Sequence, residues 1–300
     1  MGKKKIRKLI FSDLLLLLCF VLLNYPMFSD IWNAQHSSRM YSEYKKSVSH
    51  MDTKEYQTIL KSTKDYNKTL VDKGNSRFRM SEQEENDYMK LLNLPDTDVM
   101  AYLKIEKIGM KHMPVYHTTK QEVLQAGAGH FEGSSLPVGG KGTHSVLSGH
   151  TGMSGSPMFS KLTQLKKGDI FQIKVLDRTL TYQVDQIHTV LPKNVKYLQI
   201  DKDKDYCTLI TCTPMGINSH RLLVRGKRIP NPKVQKVQKE KQNFFKQIWE
   251  RLISRFATYE LVMTGFSILI LIFFLLPDMK RLICQTKERR QLCRSKTDIT

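Results

Sequence analysis

Two cysteines five positions apart, Cys207 and Cys212, stand in the stretch "DYCTLITCTPMGINSHRLLVRG" (205–226), with Arg221 and Arg225 close behind. The other three thiols lie elsewhere: Cys19 in an apolar run, Cys284 and Cys293 in a basic tail. The odd count and this scatter give no disulfide framework. If 206–212 is a strand, an odd separation turns the two side chains to opposite faces. Their Cα atoms are then about 16 Å apart, whereas a disulfide needs them within about 7 Å. A zinc pair is disfavoured too, because zinc cysteines sit two to four residues apart with a second ligand pair elsewhere. Two single thiols remain. Cys207 is mid-strand, where a free Cys is commonly a small buried hydrophobe. Cys212 ends the strand just before "TPMG", at a turn of the kind that carries reactive groups.

A thiol becomes a nucleophile when a cation lowers its pKa, and the same cation can hold a developing oxyanion. The next strand runs back from His220, antiparallel to the first. Arg221 then enters opposite Cys212, and Arg225 lies farther down, near Thr208. Both arginines share a face, so position along the hairpin chooses Arg221, and Arg225 reads as a solvated or structural charge. An acid/base is also needed, and nine histidines compete. His150 ends the strand in "THSVLSGHTG" and turns at once through Gly152, which makes it accessible. A surface histidine would look the same by spacing.

These side chains need a rigid frame. From Val99 onward "AYLKIEKI", "MPVYH", "HSVLSGH", "DIFQIKVL", "LTYQVDQIHTVL", "YCTLITCT" and "RLLVRG" are short, β-branched runs separated by turn residues. Such a series predicts a mostly β fold, a closed barrel of about eight strands with short helices. One helix, roughly Pro157 to Leu165, interrupts it. Before the barrel, 38–73 reads as helical, "DKGNSR" breaks the pattern, and Ser81 with Glu84 forms a capping box for a short helix. The chain has no internal repeat, Gly-rich phosphate loop or metal-ligand set, so no cofactor or metal is expected.

The net charge of +20 raises the question of nucleic acid, but its distribution answers against it. Residues 1–8, 227–255 and 278–300 together carry sixteen of those charges. They flank two apolar runs, "LIFSDLLLLLCFVLLNY" (9–25) and "YELVMTGFSILILIFFLLP" (259–277), and so point to a membrane surface. No small-residue cleavage site follows the first run, which favours a retained anchor. Five positive charges at the N-terminal end place both termini in the cytoplasm and the middle outside. Trp32 and Trp249 fall just beyond the runs, and "NFFKQIWERLISRFA" presents an apolar helical face suited to a membrane interface. The expected organisation is a basic end and anchor (1–28), a helical stalk and lid region (29–97), the barrel (98–230), a basic linker and amphipathic helix (231–257), a second span (258–277) and a basic cytoplasmic tail (278–300).

With these residues in view, the chain resembles the sortases, specifically the class C, pilus-assembling group. The family signature Thr-Leu-x-Thr-Cys appears as "TLITC" (208–212), its continuation as "TPMGINSHRLLVRGKR", and the His motif as "GTHSVLSGHTG". "YLKIEKI", "VYHTT", "GAGHFEGSSLPVGGKGTH" and "LTYQVDQI" support it, so the likeness runs from about 98 to 230. The two-span layout also suits class C. The resemblance implies a sortase-type barrel with Cys212 as nucleophile, His150 as general acid/base and Arg221 as the oxyanion-binding cation. It implies cleavage of an LPXTG-like sorting signal between Thr and Gly and a thioacyl enzyme. The acyl group would then pass to a lysine of the next pilin, at the outer face of the cell membrane. Partners would be pilin subunits and membrane lipid. Two alternatives stay open: attachment of surface proteins to cell-wall amines, and a non-catalytic membrane scaffold.

One departure is visible. Class C members commonly carry a lid with an Asp-Pro-aromatic anchor over the cysteine. Here "DKGNSRFRMSEQ" has no Asp-Pro, so Phe78 is the lid candidate and a differently latched lid is expected.

Overall fold

The computed structural model describes residues 3–94, 97–152 and 159–231, together with four positions between 265 and 272. The chain divides into two units, Met1–Asp30 with Lys241–Thr300, and Ile31–Glu240. The second unit holds everything discussed below except the start of the first helix.

Eight strands close into a barrel. They are β1 (Val99–Ile105), β2 (Met110–Tyr116), β3 (Ala128–His130), β4 (Thr143–Ser148), β5 (Ile170–Val175), β6 (Arg178–Val190), β7 (Asp205–Thr213) and β8 (His220–Ile229). Their order around the barrel is β1-β2-β3-β4-β7-β8-β6-β5, and β5 returns to β1. The pairs β2–β3 and β4–β7 are parallel, and the others are antiparallel. Closure leaves no sheet edge unpaired. Alternation along β7 assigns its faces. Cys207 and Leu209 belong to the main core with Tyr102, Phe171 and Tyr182, and Ile210 belongs to a second apolar cluster with Val146, Val190, Leu198 and Leu223.

The helical region follows its own local rules. α1 (Lys3–His50) ends where Asp52 caps α2 (Thr53–Val71), its side chain accepting from the Lys54 N–H. A 3₁₀ segment, Gly74–Phe78, follows, and α3 (Glu82–Met89) opens on the Ser81–Glu84 capping box. Three buried polar side chains seat these helices on the barrel. The Tyr44 hydroxyl donates to the Met100 carbonyl at 3.2 Å and accepts from the Leu176 N–H at 2.7 Å. Asn67 exchanges a pair of hydrogen bonds with the backbone of Leu136, at 3.0 and 2.7 Å. The Tyr88 hydroxyl meets His130 Nδ1 at 2.9 Å.

Three expectations need adjustment. β3 is only three residues long and Gly-centred, too short for a periodic signal. α4 (Gln121–Ala126) was not foreseen, and where a helix is expected from Pro157 to Leu165, the described residues 159–165 form a turn followed by a 3₁₀ segment, Leu162–Gln164. Among the described residues no helix is long and apolar enough to cross a membrane. The first expected span falls within α1. The amphipathic helix, the C-terminal tail and all but four residues of the second run lie outside the described residues.

Two buried histidines make the barrel acid-sensitive. His130 Nε2–H donates to the Ser135 carbonyl at 2.9 Å, while Nδ1 faces the Tyr88 hydroxyl. His144 Nδ1–H donates to the Gln199 carbonyl at 2.8 Å, and Nε2 accepts from the Thr208 hydroxyl at 2.7 Å. Burial pushes both down, from 6.5 to about 4. Between pH 6.5 and 4 the unfolded chain therefore binds more protons than the folded one, and stability falls as pH falls through that window. The expected loss is about 2 kcal/mol per histidine at pH 5 relative to neutral pH. Urea midpoints at pH 7.5 and 5 check this, and equal midpoints would contradict it.

Candidate active site

β7 and β8 form the hairpin that carries Cys212, Arg221 and Arg225. Its register pairs Cys212 directly with Arg221 and Thr208 with Arg225. On the other side of β7, parallel β4 pairs Ser148 with Ile210. The chain after β4 keeps to β7: the Gly149 N–H donates to the Ile210 carbonyl at 3.0 Å, and the Thr211 hydroxyl donates to the Gly149 carbonyl at 2.8 Å. Continuing the register by two residues brings His150 alongside Cys212. On the far side, Val190 of β6 pairs with Arg221. Cys212, Arg221 and Val190 form one row across the sheet, and His150 stands two residues past Ser148, the last β4 residue paired with β7. Residues sixty positions apart in sequence are thus neighbours through a single parallel strand pair.

The electrostatics separate the two arginines. Arg225 is spent: its Nε and Nη2 donate to the two carboxylate oxygens of Asp185 at 3.1 and 2.6 Å, and its guanidinium lies 4.1 Å from the centre of the Tyr206 ring. Arg221 has no carboxylate partner among the described residues; Nη1 donates to the carbonyls of Asn218 and His220 at 3.0 and 3.1 Å. Those bonds steer the guanidinium and leave further N–H groups for a substrate oxygen. Asp185, the partner that fixes Arg225, carried no sequence signal, since it sits 40 residues away on β6.

The thiols differ as sharply. Cys207 is fully buried in the core, where burial raises its pKa and keeps it protonated. Cys212 is partly exposed and unbridged. Of the histidines, His130 and His144 are engaged in the buried bonds described above. His117 bonds the Leu91 carbonyl, His112 stacks on Tyr41 and His188 stacks on Tyr197. His220 pairs with Thr213, on the opposite face from Cys212. His150 is half-buried, less open than its strand-end position predicts, and its buried Nε2 has no partner among the described residues, which leaves it free to bond a substrate group. No cluster among the described residues is suited to a metal ion.

The segment carrying Phe78 lies on the same face as Cys212. The Phe78 ring packs against the Val146–Val190–Leu198–Ile210–Leu223 cluster and meets Phe131 edge-on, with centroids 5.5 Å apart. In place of an Asp-Pro anchor, the almost fully buried Arg77 holds it down, with Nη2 donating to the Leu198 carbonyl at 2.6 Å and Nη1 to the Gly74 carbonyl at 2.8 Å. Gln199 Nε2 adds a 2.7 Å bond to the Asn75 side-chain oxygen. Gly133 permits the approach: at φ +78° it leaves room that a Cβ, 2.1 Å from the Arg77 carbonyl oxygen, would fill. Arg77 lies in the stretch "DKGNSRFRMSEQ" and Gly133 in "GAGHFEGSSLPVGGKGTH", but nothing in either singled out these two residues as partners.

The chain is similar to known proteins. A family model described as the sortase domain matches residues 103–229. Sortase A of Bacillus anthracis is 29% identical over 134 residues, 45% of this chain and 61% of that protein, so the chain spans about three fifths of that curated relative. The crystal structure of sortase C1 from Streptococcus agalactiae is 49% identical, covers 65% of this chain and 100% of its own, and superposes with a TM-score of 0.62. Sortase C of Streptococcus pneumoniae, whose structure bears on catalysis and pilin substrate specificity, is 41% identical. It covers 64% of this chain and 97% of its own, with a TM-score of 0.56.

Proposed function

The chain belongs to the sortase family, and on that premise we propose that it is a membrane-anchored cysteine transpeptidase that polymerises pilins. The observation that carries this reading is the pairing of Cys212 with Arg221, whose guanidinium has no carboxylate partner among the described residues, next to the strand end that leads to His150, whose Nε2 has no partner among them. The class C neighbours favour pilin lysine over a cell-wall amine as acceptor. The basic clusters beside the two apolar runs favour attachment to the cell membrane, with the barrel outside.

The chemistry follows from the parts. The Cys212 thiolate attacks the carbonyl of Thr in an LPXTG-like signal, and Arg221 donates to the oxyanion that forms. His150 gives a proton to the departing Gly nitrogen as the C–N bond breaks. A lysine amine then attacks the thioester carbon and passes its proton to His150. The C–S bond breaks, the thiolate is restored and an isopeptide bond is left.

Phe78 acts in this scheme as a cover over the apolar floor next to the thiol. The variant Phe78→Ala is expected to raise the alkylation rate of Cys212 about tenfold, as if about 1.4 kcal/mol of packing had been holding the cover shut. A rate equal to that of the parent would contradict the covering role. The pilin reading is tested by mixing the full chain, in detergent, with a pilin bearing an LPXTG-like signal. A ladder of covalent multimers that disappears with Cys212→Ala supports it. Attachment only to cell-wall peptide amines would favour the surface-protein alternative.

A further inference from the structure

Large apolar side chains of the described barrel are covered almost everywhere, with one exception. Leu191, Met215 and Ile217 are 62%, 66% and 73% exposed, whereas the next most exposed, Ile170, is at 40%. All three lie at the same end of the barrel, on one side of the catalytic row. Leu191 directly follows Val190, the residue paired with Arg221. Met215 and Ile217 occupy the turn between Cys212 and Arg221. The Met215 side chain lies over Gly152, 3.0 Å from where a Cβ would stand at φ +75°, so this turn meets the chain that follows His150.

The two sides of the row are unlike. Toward Ile210 and Leu223 lies the apolar floor covered by Phe78. Toward Met215 and Ile217 lies an uncovered apolar rim. The turn 213–220 contains no Lys, Arg, Asp or Glu, in a chain carrying a net charge of +20. The turn therefore places no cation beside Met215 and Ile217; the exposed Lys193 and Lys196 stand in the loop that follows Leu191, at the other side of the rim.

We propose that Leu191, Met215 and Ile217 form the docking surface for the acyl acceptor, a polypeptide whose reactive lysine is flanked by apolar side chains. This rests on the transpeptidase reading. The departing and incoming amines exchange protons with the same imidazole, so both use the same side of the thioester. The acyl chain takes the covered side and the amine takes the rim. The amine nitrogen bonds the thioester carbon, its proton goes to His150, and the Cys212 sulfur leaves as thiolate. Burial of the rim against apolar flanks of the acceptor is what sets one lysine above others.

The test is a competition. The full chain in detergent receives an LPXTG-type peptide and two acceptor peptides in equal amounts, one with Val and Leu flanking its lysine and one with Gly and Ser. The parent is expected to favour the apolar acceptor by about tenfold in product ratio, and L191S/I217S to bring that ratio near one. Met215 is left in place because it touches Gly152. A parent ratio near one overturns the proposal. So does a tenfold ratio kept by the double variant, and if that variant also loses self-association in sedimentation, the rim belongs to a second copy. Absence of any thioacyl adduct in the parent, read by intact mass in the same samples, removes the transpeptidase reading and the rim's role with it.

Discussion

Arg221→Ala is expected to lower the transfer rate by roughly 10²–10³-fold, the cost of removing one oxyanion donor, and to leave stability within about 0.5 kcal/mol. Arg225→Ala is expected to do the reverse. It removes both bonds to Asp185 and the stacking on Tyr206, costs about 1–3 kcal/mol in stability and moves the rate far less. The two side chains are of one type, on one strand and on one face. What separates them is register: Arg221 stands opposite Cys212, and Arg225 stands opposite Thr208 beside a carboxylate that already claims it. Arg221→Lys is expected to recover only part of the loss, because an ammonium keeps the charge and lacks the planar fork. Steady-state kinetics with urea unfolding of the same proteins reads both quantities. Equal kinetic losses at the two positions would remove the argument from register.

The second large effect lies in the cysteines. Cys212→Ala is expected to cost roughly 10⁴-fold or more in turnover, as loss of a covalent nucleophile does. Cys207→Ala keeps the chemistry and costs about 1–2 kcal/mol for the small cavity it leaves in the core. Peptide mapping after brief alkylation of the folded protein should find label at Cys212 and none at Cys207, whose buried thiol is held protonated. Label at Cys207 without unfolding would contradict the assignment of faces along β7.

These contrasts show what was legible before the structure. Alternation along 205–213 and the turn that follows were enough to place Cys207 and Cys212 on opposite faces and Arg221 opposite Cys212, because a hairpin's register depends on nearby residues. The choice of His150 among nine histidines was different. It depends on β4 lying parallel to β7, a pairing across about sixty residues that no local pattern encodes, and it came from resemblance to a family motif. Asp185 was invisible for the same reason. β3 and α4, at three and six residues, are too short to show a period. The latch by Arg77 and Gly133 is a meeting of side chain and backbone across the barrel surface. Only the missing Asp-Pro hinted that something else must hold the segment.

A covalent bond to Cys212 is the step on which every role assigned above depends. The full chain in detergent, incubated with an LPXTG-type peptide and quenched in acid, should show by intact mass an adduct equal to the peptide up to Thr. That adduct should be absent from Cys212→Ala and retained by Cys207→Ala. No adduct in a protein whose Cys212 also resists a small alkylating agent would contradict it and leave a membrane scaffold as the better description.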